Sequence, residues 1–485
     1  MPCPLHTSLN LPHDELAARV AGLTMPALLE SGPGFGNQGR WSILAAWPRL
    51  TFHLDQNGWI RKPWGKPASH RGPASTAFAA LDALLTEFDL AQPRHATAPD
   101  VCPFQGGLIG ALSYDLAPRL ERLPRRHSPD SRFPEIQLAL YDTFVTIDHA
   151  TNRANLWTTN LFDEPHAVLA QRHDAFLAKL EQPPAPPGRT RLESPPRTAF
   201  SPEEYIAAVE TVRDYIRAGD VFQVNLAQRF EARAREIDAF QLYQRLKSIA
   251  PAPYAAFLRR GSRCVLSASP ESFYATNGRA IITKPIKGTR PRSSDPKRDA
   301  TLKHELISSP KDRAELTMII DVERNDLGRV CDYATVHVVE PFAVESYAQV
   351  HHLVATIEGR LRESTSPVDV LRAMFPGGSI TGAPKIRAME IIDELEKNRR
   401  GLYTGAIGYF SRGGTSAFNI AIRTMLIEGK RITYQVGGGI VADSDPQAEF
   451  QETLDKGRGM HDLLSEQCEH RAGYDDSECT GVASE

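Results

Sequence analysis

The sequence predicts an α+β protein of two lobes, and three features carry that reading. Short segments such as WSILAAWP at 41–48, LALYDTFVTIDH at 138–149 and RANLWTTN at 153–160 read as strands, with the helical pattern TAFAALDALLTEF at 76–88 among them. The stretch QPPAPPGRTRLESPPRTAFSP at 182–202 holds seven prolines in polar company and is expected to sustain neither helix nor ladder. Beyond it, helices and strands resume with clear end signals. The chain therefore divides into an N-terminal lobe at 1–181, a Pro-rich linker at 182–200, a larger domain at 201–467 and a polar, acidic, mobile tail at 468–485 with little to bury.

Bulk properties exclude more than they select. Of 485 residues, 41% are hydrophobic and 24% charged, and a formal net charge of −3 gives no footprint for nucleic acid. Six cysteines (Cys3, Cys102, Cys264, Cys331, Cys468, Cys479) lie scattered without a CxxC pair, which suits reduced thiols in a cytoplasm and no disulfide. The opening MPCPLHTSLNLPHDELAARV lacks a basic segment followed by an apolar one, and no run of about 18 apolar residues occurs anywhere. Neither export nor a membrane span is expected.

After the linker, Ser201 and Glu204 form a capping box around Pro202, and Tyr205, Val209, Val212 and Ile216 make one helical stripe ending at Gly219. The strand VFQVNLAQRF follows. Alternation puts Phe222, Val224 and Leu226 on its packed face and Gln223, Asn225 and Ala227 on the other, so a polar pair faces away from the packing.

Two later helices each carry acids at i, i+3. In SPKDRAELTMIIDVERNDLG, Ser309 caps, Pro310 begins the helix, Asp312 and Glu315 share a face and Gly328 is a natural stop. In SDPQAEFQETLDK, Glu449 and Glu452 share a face with Lys456. Alone, each is an ordinary solvated face, and the Glu452–Lys456 spacing is a surface pair worth about 0.3–0.5 kcal/mol. Together they offer one carboxylate per helix to a hard cation such as Mg²⁺, which takes few protein carboxylates, several waters and an anionic substrate. Zinc patterns are absent: HELIS lacks the second histidine of HExxH.

FPGGSITGAPKIRAMEIIDELE reads as a Gly-rich turn entering a helix with Pro384 in its first turn and Ile386, Met389, Ile392 and Leu395 as its stripe. Free amides at such a start receive anions. The segment is neither a Walker loop nor a GxSxG elbow. A second glycine run, Gly437, Gly438 and Gly439, is expected as a loop after the strand RITYQV, where it allows close approach to a ligand.

Lys287 precedes Gly288 in ITKPIKGTRPR, and Glu271 lies sixteen residues earlier in SASPESF. By itself a lysine belongs on the surface. To act as a nucleophile at neutral pH it must lose its proton, at a cost of roughly 4–5 kcal/mol from a reference pKa near 10.4. A nearby cation or burial lowers that cost. Glu271 is a suitable general acid where an apolar wall keeps it protonated.

Taken in order, SASPESF, PIKGTRPR, KDRAELTMIIDVERNDLGRV, HHLVATIEG, FPGGSITGAPKIRAMEIIDELE and GGGIVADSDPQAEFQETLDK resemble the chorismate-utilising enzymes over about 200–465. The segments LLESG at 28–32 and PFQGGLIGALSYDLAPRLE extend the likeness to the N-terminal lobe of the aminodeoxychorismate synthase component I and anthranilate synthase branch. The resemblance implies a sandwich of two large antiparallel sheets with helices outside, the lobes being open to interlacing. It implies Glu315 and Glu452 as Mg²⁺ ligands, with Glu449 and Asp312 behind them. Gly288, Thr289, Ser379, Tyr403, Arg423, Gly437, Gly438, Gly439 and Lys456 match substrate-contacting positions, and His352 an active-site histidine. Gln223 stands where water-adding relatives carry a lysine, which argues against hydroxylation of chorismate. Anthranilate synthases typically read PIAGT where this chain reads PIKGT, so Lys287 discriminates. The implied reaction has Lys287 attack C2 of chorismate while Glu271 protonates the departing C4 hydroxyl. Ammonia, delivered by a glutamine amidotransferase subunit, then displaces the lysine to give 4-amino-4-deoxychorismate, the precursor of 4-aminobenzoate and folate. Anthranilate synthase is the alternative, and a non-catalytic chorismate- or tryptophan-binding regulator a remote one. Glu30, Ser31, Pro253 and Tyr254 match a tryptophan pocket in relatives, with inter-sheet packing the ordinary reading.

Overall fold

The computed structural model describes residues 4–91, 96–98 and 100–468. Apart from Cys468, the expected tail lies outside them. Among the described residues the strands form two sheets, of 13 and 12 strands, and every ladder between named strands is antiparallel. Eleven α-helices accompany them.

Each sheet is built from both sides of the Pro-rich stretch. In the larger, Ala27–Glu30 pairs with Tyr254–Arg260, Leu28 standing opposite Phe257. In the smaller, Gly107–Leu112 pairs with Ala406–Ser411, Gly110 opposite Gly408. The lobes are interlaced. Against expectation the Pro-rich stretch makes two short ladder contacts, Arg191–Leu192 and Arg197–Thr198, both pairing with Gln223–Glu236 and both lying in proline-free runs, 188–194 and 197–201.

Side-chain alternation explains the layers. Between the sheets lies a core of Ile43, Phe104, Ile109, Tyr141, Phe144, Ile407 and Tyr409, with Ala256 and Ala111 where the backbones come close. Helices His13–Ala21, His166–Leu180 and Ala239–Ile249 cover the outer face of the larger sheet through Val20, Phe176 and Leu246. Helices Ala77–Glu87, Pro296–Ser308 and Pro310–Gly328 cover the smaller through Leu81, Leu306 and Leu316. The capping box at Ser201 forms as expected and starts the helix Pro202–Arg217.

Four local expectations change. Phe222 is 70% exposed because the ladder begins one residue later, at Gln223. Gln223 and Asn225 are buried, so the strand's second face is covered as well as its first. Gly437–Gly439 do not form a loop: they continue the strand Arg431–Ile440, with Asn225 opposite Gly439 and Ala227 opposite Gly437. The ladder with Gln223–Glu236 carries the glycines where local propensity would have ended the strand. Finally, Ile386 of the expected stripe is exposed, whereas Met389 and Ile392 are buried as expected, joined by Ala388 and Ile391 in the helix Lys385–Leu395.

Candidate active site between the two sheets

The glycine strand is the floor of a pocketed cluster. A Cβ on Gly439 would stand 2.9 Å from Gln223 Nε2 and 3.2 Å from Lys287 Nζ. On Gly438 it would stand 3.1 Å from Glu449 Oε2, 3.8 Å from Glu452 Oε1 and 3.9 Å from Lys456 Nζ. These glycines provide room, and five polar side chains use it.

Lys287 comes from the other sheet. Its strand, Ile286–Pro291, bulges against Val350–Arg360 between Lys287 and Thr289, with Gly288 at φ +75°. Such a bulge re-aims the neighbouring side chain, and only glycine suits the conformation. The residue also has no room for a Cβ, which would strike Asp312 Cγ at 2.8 Å. The lysine side chain is 11% exposed and its Nζ lies 4.0 Å from Glu315 Oε2. Burial lowers its pKa, helped by the Lys456 ammonium, while Glu315, Glu271 and Glu452 oppose.

Glu271, 4% exposed, is pushed up to about 7 by burial, against the Ser379 hydroxyl, the Ile286 amide at 3.4 Å and Lys287. Gln223 Nε2 and Oε1, Asn225 Oδ1 and His352 Nε2 are buried without a hydrogen-bond partner among the described residues. Unpaired buried polar groups are expensive, and their convergence here marks a place where a polar ligand completes the bonding.

The two acidic helices meet at the cluster. Burial raises the pKa of Glu315, and Asp312 and Glu452 raise it further against Lys287 and Lys311. Glu449 is likewise raised by burial while accepting from Ser444 Oγ at 2.6 Å. Burial acts on Glu452 too, but Lys456 at 2.6 Å, with Lys311 and Lys287, holds it below the ordinary range. Among the described residues no group of three His, Cys, Asp or Glu side chains is disposed around a metal position. Glu315 and Glu452, one carboxylate from each helix and close enough for Glu452 to raise Glu315, are nevertheless a donor set that fits Mg²⁺, which keeps most of its coordination for water and substrate.

His352 is buried, with Nδ1 2.9 Å from Thr289 Oγ1 and its ring against Tyr347. Burial and then Arg423 push its pKa down to about 4, so the imidazole is neutral near pH 7. Arg423 has φ +48°, is pushed down by burial and has no ion-pair partner among the described residues. With Lys456 and Tyr347 it lines a cavity of about 210 Å³, a setting for an anion. Tyr403 is buried beside Arg400, 5.7 Å from the ring centroid.

Sequence reasoning passed over Arg400. It pairs with Glu396 at 2.6 Å and donates to Ile380 O at 2.9 Å and Asn225 O at 2.7 Å, joining the Gly-rich turn to the polar strand. The pair is fully interior. Arg400→Met is expected to destabilise the protein by about 3–5 kcal/mol in urea unfolding, because Glu396 is left buried and unpaired, and adding Glu396→Leu recovers part of the loss.

Glu30, Ser31, Pro253 and Tyr254 come together on adjacent strands and their ends. Glu30 accepts from Tyr243 at 2.7 Å, and Lys247 at 2.8 Å and His13 at 3.0 Å keep its pKa at about 2 despite burial. Ser31 Oγ is buried without a hydrogen-bond partner among the described residues. Tyr254 donates to Gln38 Oε1 at 3.1 Å.

Comparison with known proteins agrees with this arrangement. The family profile described as chorismate binding enzyme matches residues 52–462. Aminodeoxychorismate synthase component 1 of Klebsiella aerogenes is 42% identical over 442 residues, 90% of this chain and 93% of that one. Anthranilate synthase component 1 of Thermus thermophilus is 38% identical over 428 residues, 88% and 89% respectively. The crystal structure of anthranilate synthase component I from Streptococcus pneumoniae superposes with a TM-score of 0.76 at 32% identity, covering 89% of this chain and 93% of that one. With the site's glycine floor, paired acids and buried lysine all inside the matched span, the chain belongs to the chorismate binding enzyme family.

Proposed function

We propose that the chain aminates chorismate at C4, an aminodeoxychorismate synthase activity, with Lys287 as covalent nucleophile. The observation that carries the reading is the buried Lys287 amine, on the glycine floor and within electrostatic reach of Glu271, a carboxyl raised to about 7. An amine so desolvated is easier to deprotonate, and a carboxyl so raised can donate a proton near neutrality.

In the proposed sequence, neutral Lys287 forms a bond to C2 as the ring double bonds shift and the C4 hydroxyl leaves, taking the Glu271 proton to depart as water. Ammonia then bonds to C4, the double bonds shift back, and the C2–N bond breaks to return Lys287 as a neutral amine. The new ammonium gives its proton to Glu271. Chorismate and ammonia become 4-amino-4-deoxychorismate and water, with the enolpyruvyl group retained. Arg423 and Lys456 would bind substrate carboxylate, and neutral His352 would offer Nε2. Glu315 and Glu452 would hold Mg²⁺, with Glu449 and Asp312 behind them; the ion would supply positive charge against the ring carboxylate.

The "component 1" in the relatives' names supports a partner component, which we take to be a glutamine amidotransferase that delivers ammonia in a heterodimer. Free thiols at Cys102, Cys264, Cys331 and Cys468 support a cytoplasmic location. The unpartnered Ser31 hydroxyl beside Glu30 supports a small-molecule subsite there, for which an indole amino acid is the candidate.

Relatives named anthranilate synthase component 1, at 38% identity, favour a second reading in which C2 is aminated and pyruvate eliminated. One assay separates the two. Purified chain with chorismate, Mg²⁺ and ammonium salt is expected to accumulate 4-amino-4-deoxychorismate without pyruvate. Prompt pyruvate and fluorescent anthranilate would assign the alternative.

A further inference from the structure

The helix Pro310–Gly328 carries a second carboxylate pair that the chemistry above leaves unused. Glu323, 2% exposed, stands eight residues past Glu315, and the buried Asp326 follows one turn on. Glu323 Oε1 accepts the Gly378 N–H at 3.0 Å, and its Oε2 lies 3.5 Å from Thr283 Oγ1. Asp326 pairs with the Lys385 ammonium, which also donates to Met374 O at 3.0 Å and Pro376 O at 2.9 Å. One helix face therefore grips the FPGGSIT segment at its start and at its middle.

The segment leaves no slack. A Cβ on Gly378 would stand 2.7 Å from Val322 Cγ1 and 3.2 Å from Glu323 Oε1. Ser379 follows directly, and its hydroxyl acts on the Glu271 carboxyl. A buried carboxyl is a costly way to fill space. Burial, Asp326 and Glu271 all push the Glu323 pKa up, to about 7, against Lys385 and the Gly378 amide. Packing alone would be served better by methionine.

We propose that Glu323 is a positioning residue: by holding the Gly378 amide from the helix that also carries Glu315, it sets Ser379 against Glu271. The catalytic consequence rests on the reading of Glu271 as the general acid. The same helix then presents Glu315 to the ligand at its start and fixes the acid's neighbour from its second half.

Two variants isolate the hydrogen bond. Glu323→Gln keeps an oxygen for the Gly378 amide, whereas Glu323→Met keeps the volume and loses the acceptor. Chorismate consumption with ammonium salt is measured whatever the product, together with hydrogen exchange of peptides covering 375–383. The Gln variant is expected within about threefold of the parent kcat. The Met variant is expected to lose roughly 30- to 100-fold in kcat, the scale of a displacement of about 1 Å, with KM for chorismate within about threefold and faster exchange in 375–383. Equal kcat losses in both variants, a parental kcat in Glu323→Met, a KM rising in step with the loss, or unchanged exchange in the Met variant would each overturn the role. Should Glu323→Met fail to fold, Glu323→Asp, which withdraws the carboxylate by one methylene, takes its place with the same expectations. If the parent chain consumes no chorismate, the proposed reaction fails by itself, and the exchange comparison still decides whether Glu323 holds the turn.

Discussion

Lys287→Ala is expected to lower amination of chorismate by about 10³-fold or more, since it removes the buried amine that the proposed covalent step uses. The loss is catalytic. Lys287 Nζ makes no hydrogen bond among the described residues, and its approach to Glu315 is a loose 4.0 Å, so thermal unfolding should change little. Lys287→Arg is expected to be as inactive as the alanine variant, because guanidinium keeps its proton at any pH the protein survives. Mass spectrometry gives the direct check. With chorismate and no ammonia, the parent chain should carry chorismate less one water on the peptide containing Lys287, and neither variant should. Unchanged formation of 4-amino-4-deoxychorismate by the alanine variant removes the covalent step.

Glu271→Gln is expected to lower kcat by about 10²- to 10⁴-fold while making the protein more stable at alkaline pH. The sign follows from its pKa, about 7 in the folded chain against an ordinary 4.5. The folded state holds this proton more tightly than the unfolded one, so the contribution to stability is full below 4.5, declines as pH rises to about 7 and stays low above it. Glutamine has no proton to lose. The variant should gain on the parent across that window by up to about 3 kcal/mol, an upper figure for a fully buried carboxyl. Urea unfolding at pH 5 and pH 8 measures it. A stability difference that does not grow with pH would mean that Glu271 is not held protonated.

Layer composition and helix ends were legible in the sequence because they depend on neighbours: the capping box at Ser201, the strands around 41–45 and 153–158, and the helix at 77–87 all formed where expected. Two kinds of residue misled. Glycines at 437–439 read as a break, and only the ladder with Asn225–Ala227 makes them strand. Gln223 and Asn225 read as polar residues turned from the core, yet both are buried, since polarity does not distinguish solvent from a site awaiting a ligand. Lys287 and the two acidic pairs had chemistry but no distances, because their meeting depends on contacts between the sheets and on helices separated by more than a hundred residues. Arg400 and Glu323 were passed over for the same reason, each being defined by backbone groups far away in the chain.

The interlaced sheets also set an order of assembly. Ala27–Glu30 pairs with a strand that begins at Tyr254, and Gly107–Leu112 with one that ends at Ser411. A growing chain thus carries two open strand edges, one until residue 260 and the other until residue 411 has been made. Such edges are the surfaces through which nascent proteins associate wrongly, and long closures are slow to form. The topology thus leaves two edges in need of shielding during synthesis, and the candidate site, which needs both sheets, is among the last features to exist.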